Sequence, residues 1–329
     1  MLDTAHTDPS LDVLRAAAAT VYGVMPRTPQ YAWPLLAKRT GCSVWVKHEN
    51  HTPTGAFKIR GGIVYMQHLK RKQPDCAGVI AATRGNHGQS IAVSAKAAGV
   101  RAVIVVPEGN NPEKNAAMAA QGAELVVHGP DFNTALDHAH ALAEQQGLHF
   151  VPSFAPLLVQ GVASYALELF DAVEALDTVY VPVGLGSGIC GLIAARDALG
   201  LKTEIVGVQA EAAPCYALSF AVGHPVSTET ADTLIDGVAT RVPVAEAVEI
   251  INRGAARIVT VSDDEALDAQ AYLMVDTHNL AEPAGAAALA ALMQERDLMR
   301  GRRVAVIQSG GNADAGNVLE VARRARTFV

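Results

Sequence analysis

Lys58 follows a proline and a glycine and opens a helix in His48–Gly62, HENHTPTGAFKIRGG. An amine in such a place forms a Schiff base with a carbonyl once burial or a cationic neighbour lets it lose its proton. The same residues also describe a plain surface lysine at a helix start, and spacing alone does not separate the two. Three further stretches carry chemistry. Ala81–Ala92, AATRGNHGQSIA, ends a strand at Thr83, turns through Arg84, Gly85, Asn86 and His87, and starts a helix. Free N–H groups at a helix start attract an anion such as an amino-acid carboxylate. Val181–Gly191, VPVGLGSGICG, runs from strand through Gly184, Gly186 and Gly188 into a helix, which suits a phosphate. It is not a Walker loop, and its G-x-G-x-G spacing departs from the dinucleotide fingerprint. Ile307–Asn312, IQSGGN, places Ser309 where its hydroxyl can bond a heterocyclic nitrogen. Each stretch alone also reads as an ordinary tight turn. Together they sit at strand ends or helix starts, where open α/β folds bind ligands.

The elements that must position these turns alternate. Short β-branched runs, such as Ala102–Val106 and Thr178–Val183, are separated by Ala-rich helical stretches, such as Phe132–Gln146 and Gly188–Leu199. That alternation predicts an α/β fold with two open, mainly parallel twisted sheets covered by helices. The strands are almost wholly apolar, as expected where helices cover both faces. Residues 78–152 hold compact strand–helix units of their own. They are expected to form a small substrate-loop domain inserted into a large cofactor-binding domain made of residues 1–70 and 155–329.

Composition narrows the function classes. Of 329 residues, 50% are apolar and 18% charged, with a formal net charge of −7. That length supports a large core, and the mild acidity argues against a nucleic-acid binder. Cys42, Cys76, Cys190 and Cys215 form no C-x-x-C pair and no zinc-ligand cluster. Free thiols fit a reducing cytoplasm. The opening MLDTAHTDPS has neither basic nor apolar leader character. No apolar run reaches membrane-spanning length, so no membrane partner is expected.

The motifs PTGAFKIRGG, T-x-GNHGQ, GLGSG, EPAGAAA and SGGN, in this order, resemble the fold type II pyridoxal-phosphate enzymes, and within them the serine/threonine dehydratase and serine racemase branch. The similarity spans roughly residues 20–325. The resemblance implies that Lys58 binds pyridoxal 5'-phosphate, that Phe57 packs beside it and that Asn86 bonds its phenolic oxygen. Gly184, Leu185, Gly186, Ser187 and Gly188 would hold the phosphate, and Ser309 would pair with the ring nitrogen. Glu282 would border the cofactor. Thr83, Arg84, Gly85, Asn86 and His87 would take the substrate. The implied reaction is dehydration of a β-hydroxy L-amino acid to a 2-oxo acid and ammonia, in an enzyme expected to be a cytoplasmic homodimer.

Three positions depart from the family pattern. Racemases of the branch carry a serine where this chain has Arg84, and a guanidinium is a poor base. Little racemisation is therefore expected. Arg84 is instead a candidate to hold a second carboxylate or an aromatic side chain, as in threo-3-hydroxyaspartate or threo-phenylserine; it also reads as a residue that points away to an acidic partner. Metal-binding relatives carry two carboxylates where this chain has Gln209 and Cys215, so a divalent metal is not expected. A monovalent cation held by carbonyls stays open. GLGSG replaces the run of four glycines usual in threonine dehydratases. The alternatives to a dehydratase are an amino-acid racemase of the same fold and a non-catalytic amino-acid-binding protein.

Overall fold

The apolar runs form two sheets, and the Ala-rich stretches between them fold as helices against both faces. In the computed structural model, which describes residues 9–328, the chain begins with α1 (Leu11–Tyr22), β1 (Gln30–Ala32), α2 (Pro34–Thr40), β2 (Ser43–His48) and α3 (Lys58–Lys72). Next come β3 (Val79–Ala82), α4 (Asn86–Ala97), β4 (Ala102–Val106), α5 (Pro112–Ala120), β5 (Glu124–Val127), α6 (Phe132–Gln146) and β6 (His149–Phe150). Then follow α7 (Pro156–Ala172), β7 (Thr178–Pro182), α8 (Ser187–Ala198), β8 (Glu204–Ala210), α9 (Cys215–Val222), α10 (Ala245–Gly254) and β9 (Arg257–Val261). The last elements are α11 (Asp263–Thr277), α12 (Pro283–Gln294), β10 (Arg303–Gln308) and α13 (Ala315–Ala325). The leader-free reading of the first residues falls largely on 1–8, which lie outside the described residues.

Six strands order as β1-β2-β10-β7-β8-β9, and four as β5-β4-β3-β6. Every pairing is parallel except β1 with β2. The strands of the smaller sheet all come from residues 79–150, and those of the larger sheet come from before and after them.

Alternation along the central strands feeds two cores. Val179, Val181, Ala305 and Ile307 pack with α7 and α8 on one face. Tyr180, Val304 and Val306 pack with α12 on the other. This is the two-residue period of a strand buried on both sides. The small side chains of α12, PAGAAALAALMQ, let that helix lie close to the sheet.

The helix that begins at Lys58 is fixed by buried charge. Arg60, fully buried, donates through Nε to Glu49 Oε2 at 2.7 Å and through Nη1 to Glu168 Oε1 at 2.7 Å. Lys47 Nζ reaches Glu168 Oε2 at 2.6 Å. Burial pushes the Glu168 carboxyl upward, but Arg60 and Lys47 outweigh it and hold the group below its usual range. Two cations and two carboxylates thus share one dry space between α3 and α7. The helices approach closely because Gly61 and Gly161 face each other's backbone: a Cβ on Gly61 would sit 2.7 Å from the Leu158 carbonyl oxygen.

Removing the guanidinium would leave two buried carboxylates facing one ammonium. Arg60→Leu should therefore lower stability by about 3–5 kcal/mol, read as a fall in the urea midpoint. A midpoint within experimental error of the parent would show that the network is not holding α3.

Candidate active site

Lys58 is the first residue of α3, and the chain before it is stitched to the turn after β10. Ala56 forms a bridge with Gly310, Phe57 N–H donates to the Ser309 carbonyl at 3.0 Å, and Gly311 N–H donates to the Gly55 carbonyl at 2.9 Å. Gly55 sits at φ +67°, a left-handed position that admits glycine at least strain. Thr52 closes the turn from inside, its hydroxyl donating to the Ala56 carbonyl at 2.8 Å. The Lys58 and Ser309 turns are therefore one structure. The Lys58 amine lies 5.2 Å from the centre of the Phe57 ring. Its residue is half-buried, and desolvation by the surrounding protein lowers its pKa, with Glu282 opposing.

Glu282 caps the start of α12 and is buried. Burial, then the charge of Asp236, raises its carboxyl to about 7, against the pull of Lys114, Asn86 and Lys58. Asn86, the first residue of α4, donates through Nδ2 to Glu282 Oε1 at 2.8 Å and accepts at Oδ1 from Asn312 Nδ2 at 2.8 Å. Both ends of its amide are thereby assigned.

Beside Asn86, Thr83 Oγ1 accepts from Gly85 N–H at 3.2 Å. His87 is buried and bonds the Val151 backbone; its Nε2 has no partner among the described residues. Burial, with Lys58 nearby, lowers its pKa to about 3, so the imidazole is neutral.

The glycine turn after β7 completes the recess. Gly186 takes φ +100° and leads into α8, whose start has no side-chain cap. First-turn N–H groups are thus left without a side-chain acceptor. A Cβ on Gly188 would lie 3.7 Å from the Phe57 ring, which sets this turn against the Lys58 turn. Leu185 is half-buried and Ser187 buried.

The cofactor implied by the resemblance fits on two counts. An amine is held where its protonated form is disfavoured, and an uncapped glycine-backed helix start can receive a phosphate. Ser309 is buried on the strand end stitched to Lys58.

One predicted substrate residue does not join the others. Arg84 is exposed, whereas Thr83, Gly85 and His87 are buried. Two residues that the sequence did not single out stand against this turn. Lys114, on α5, forms an ion pair with Asp236, and its Cδ lies 3.2 Å from where a Gly85 Cβ would be. Asn312 lay within a recognised motif but drew no role; its amide fixes Asn86. Gln209 Oε1 accepts from the N–H groups of Tyr216 at 2.8 Å and Ala217 at 2.9 Å, and its amide faces Cys215 Sγ. Among the described residues no group of three His, Cys, Asp or Glu is placed to hold a metal.

Comparison with known proteins gives a consistent neighbourhood. A family model described as pyridoxal-phosphate dependent enzyme matches residues 22–310. The L-threonine ammonia-lyase of Thermotoga maritima is 32% identical over 94% of this chain and 77% of its own length. The L-threo-3-hydroxyaspartate ammonia-lyase of Pseudomonas sp. is 34% identical over 92% of this chain and 95% of its own. The chain spans 60–63% of the length of four biosynthetic threonine dehydratases that it also matches. Among solved structures, the processed threonine deaminase isoform 2 of Solanum lycopersicum superposes with a TM-score of 0.89 at 28% identity, covering 98% of this chain and 96% of that one.

A carboxyl raised in the fold is stabilising while protonated. The contribution of Glu282 is fully present below its unfolded pKa near 4.5 and is lost as pH rises through about 7. Glu282→Gln keeps the neutral shape. The variant should gain stability relative to the parent between pH 5 and 8, measured as the difference in urea midpoints. A constant difference across that range would refute the assignment.

Proposed function

The chain belongs to the pyridoxal-phosphate dependent enzyme family, and we propose that within it the protein is a dehydratase acting on a β-hydroxy L-amino acid. Water is eliminated, and the released enamine hydrolyses to a 2-oxo acid and ammonia. The observation that carries the reading is the setting of Lys58: a recessed amine of lowered proton affinity beside the Ser309 and phosphate turns.

When bound, the cofactor serves as an electron sink for the pair left at the substrate α-carbon. Lys58 would hold it through Nζ, residues 184–188 would hold its phosphate, Asn86 its ring oxygen, and Ser309 its ring nitrogen. Glu282 keeps the Asn86 amide turned. The substrate carboxylate rests on Thr83 and the N–H groups that open α4, where the helix dipole favours an anion. Lys58 Nζ, released when the substrate amine takes its place on the cofactor, would then take the α-proton.

Elimination requires one proton-handling group at the α-carbon, on the Lys58 side. Racemisation requires a second on the opposite face. The residue after Thr83 is Arg84, whose guanidinium is a poor general base and whose side chain lies exposed. That favours elimination. Relatives named for threonine and for L-threo-3-hydroxyaspartate support a β-hydroxy substrate. The candidate set is threonine, serine, threo-3-hydroxyaspartate and threo-phenylserine. A cytoplasmic homodimer that works without a divalent metal belongs to the same proposal.

A 2-oxo acid assay across the four L-amino acids tests the reading. At least one should turn over, and Lys58→Ala should lower the rate by at least about 100-fold and abolish the bound cofactor's visible absorbance. L-to-D conversion of serine at a rate matching oxo-acid release would replace the dehydratase with a racemase. Arg84→Ala should change kcat/KM by less than about twofold, as expected of a surface substitution worth no more than about 0.5 kcal/mol. A tenfold change for one substrate would return that residue to the site.

A further inference from the structure

Tyr216 is fully buried at the start of α9, behind the phosphate turn. Its hydroxyl donates to the Leu185 carbonyl at 2.9 Å and accepts from Val244 N–H at 3.0 Å. Leu185 is the second residue of the GLGSG turn, and Val244 caps α10. The same hydroxyl lies 3.5 Å from where a Gly186 Cβ would stand, and Ala247 of α10 closes the space on that side. Burial pushes the phenol well above its usual pKa, so it remains a donor. Behind Tyr216, Gln209 is completely buried at the end of β8, and its single amide oxygen takes the Tyr216 and Ala217 N–H groups. An unbroken line of hydrogen bonds therefore runs from β8 through Gln209 and Tyr216 to Leu185.

A turn built on glycines has many conformations to lose when it closes around an anion. The N–H groups of the turn are useful only if their direction is set beforehand. The Leu185 carbonyl belongs to the peptide unit whose N–H is that of Gly186. Fixing that oxygen from behind fixes the N–H on the opposite side of the same plane. We propose that Tyr216, held by Gln209, is a positioning residue that pre-orients the phosphate turn and so sets how strongly this chain holds the phosphate of its cofactor. The proposal rests on the reading of residues 184–188 as the phosphate site.

The test compares two ligands on the same protein. Holoenzyme is dialysed to equilibrium against decreasing pyridoxal phosphate, and separately against pyridoxal after exchange; occupancy is read from the visible absorbance of the bound cofactor. In the parent, the phosphorylated form should bind far more tightly; equal affinities would sink the phosphate reading itself. Tyr216→Phe should raise the Kd for pyridoxal phosphate about tenfold, the scale of one buried hydrogen bond. The Kd for pyridoxal should change less than about twofold. A parallel rise in both constants would make Tyr216 a general packing residue, and no rise in either would make the bond to Leu185 idle; both outcomes overturn the proposal. Gln209→Leu, which leaves Tyr216 in place but frees α9, should give the same selective loss and serves as the second variant if Tyr216→Phe does not fold.

Discussion

The site depends on keeping an amine where its charged form is disfavoured. Lys58 is the first residue of a helix, so the positive end of the α3 dipole lies beside it. Protein encloses it on most sides, which disfavours the ammonium again. Both effects push in the direction that a Schiff-base former and α-proton acceptor needs. The restraining influence is Glu282, itself a buried carboxyl that prefers to be neutral. Burial thus disfavours the charged form of both Lys58 and Glu282.

Such a placement persists only if α3 cannot tilt to let Lys58 reach water. Arg60, one half-turn further on, supplies that restraint. Its guanidinium joins Glu49, just after β2, to Glu168 on α7, and Lys47 from β2 joins the same carboxylate. Gly61 and Gly161 draw the two helices to backbone contact. One end of α3 thus carries a destabilised amine, and the next half-turn carries a fully compensated ionic knot. The sequence KIR places them two residues apart, on different sides of the helix.

Much of this was legible beforehand, for identifiable reasons. β4 begins and ends where its apolar run does, since a strand buried on both faces leaves a continuous signature. The short strands β1 and β6, of three and two residues, are below the length at which periodicity can be read. The four turns were found because glycines and a strand–helix switch mark them. For Arg84 the sequence left two readings open, one in the pocket and one pointing away. Thr83 is buried, Arg84 exposed and Gly85 buried again, an alternation that continues the strand's period past its last hydrogen bond. Adjacency in sequence suggested a shared pocket, and the pleat separates the residues. Lys114 and Tyr216 left no mark because the contacts by which they reach the site, Lys114 with Asp236 and Tyr216 with Leu185, join positions far apart in the chain.

The reacting groups are divided between the two sheets. Lys58, the phosphate turn and Ser309 belong with the six-stranded sheet, whereas Thr83, Gly85 and His87 follow β3 of the four-stranded one. Near the reaction centre the two sides are joined by polar bonds. Asn86 opens α4 on the smaller side, while its amide is held by Glu282 and Asn312 of the larger. Lys114 and Asp236 add an ion pair, and Asn111 donates to Asp314 at 3.0 Å. Hydrogen bonds of this kind contribute about 1 kcal/mol each, because water replaces them when they open. Apolar side chains of α3 and α7 also pack with β3, α4 and β4 in one core that spans the two sides, and the directional bonds set the register beside Lys58. Asn86 is the residue where that register reaches the chemistry. Its backbone belongs to the turn after β3, and its amide is oriented from the Lys58 side; under the proposed roles, the distance between substrate carboxylate and α-proton base would be fixed only while both hold.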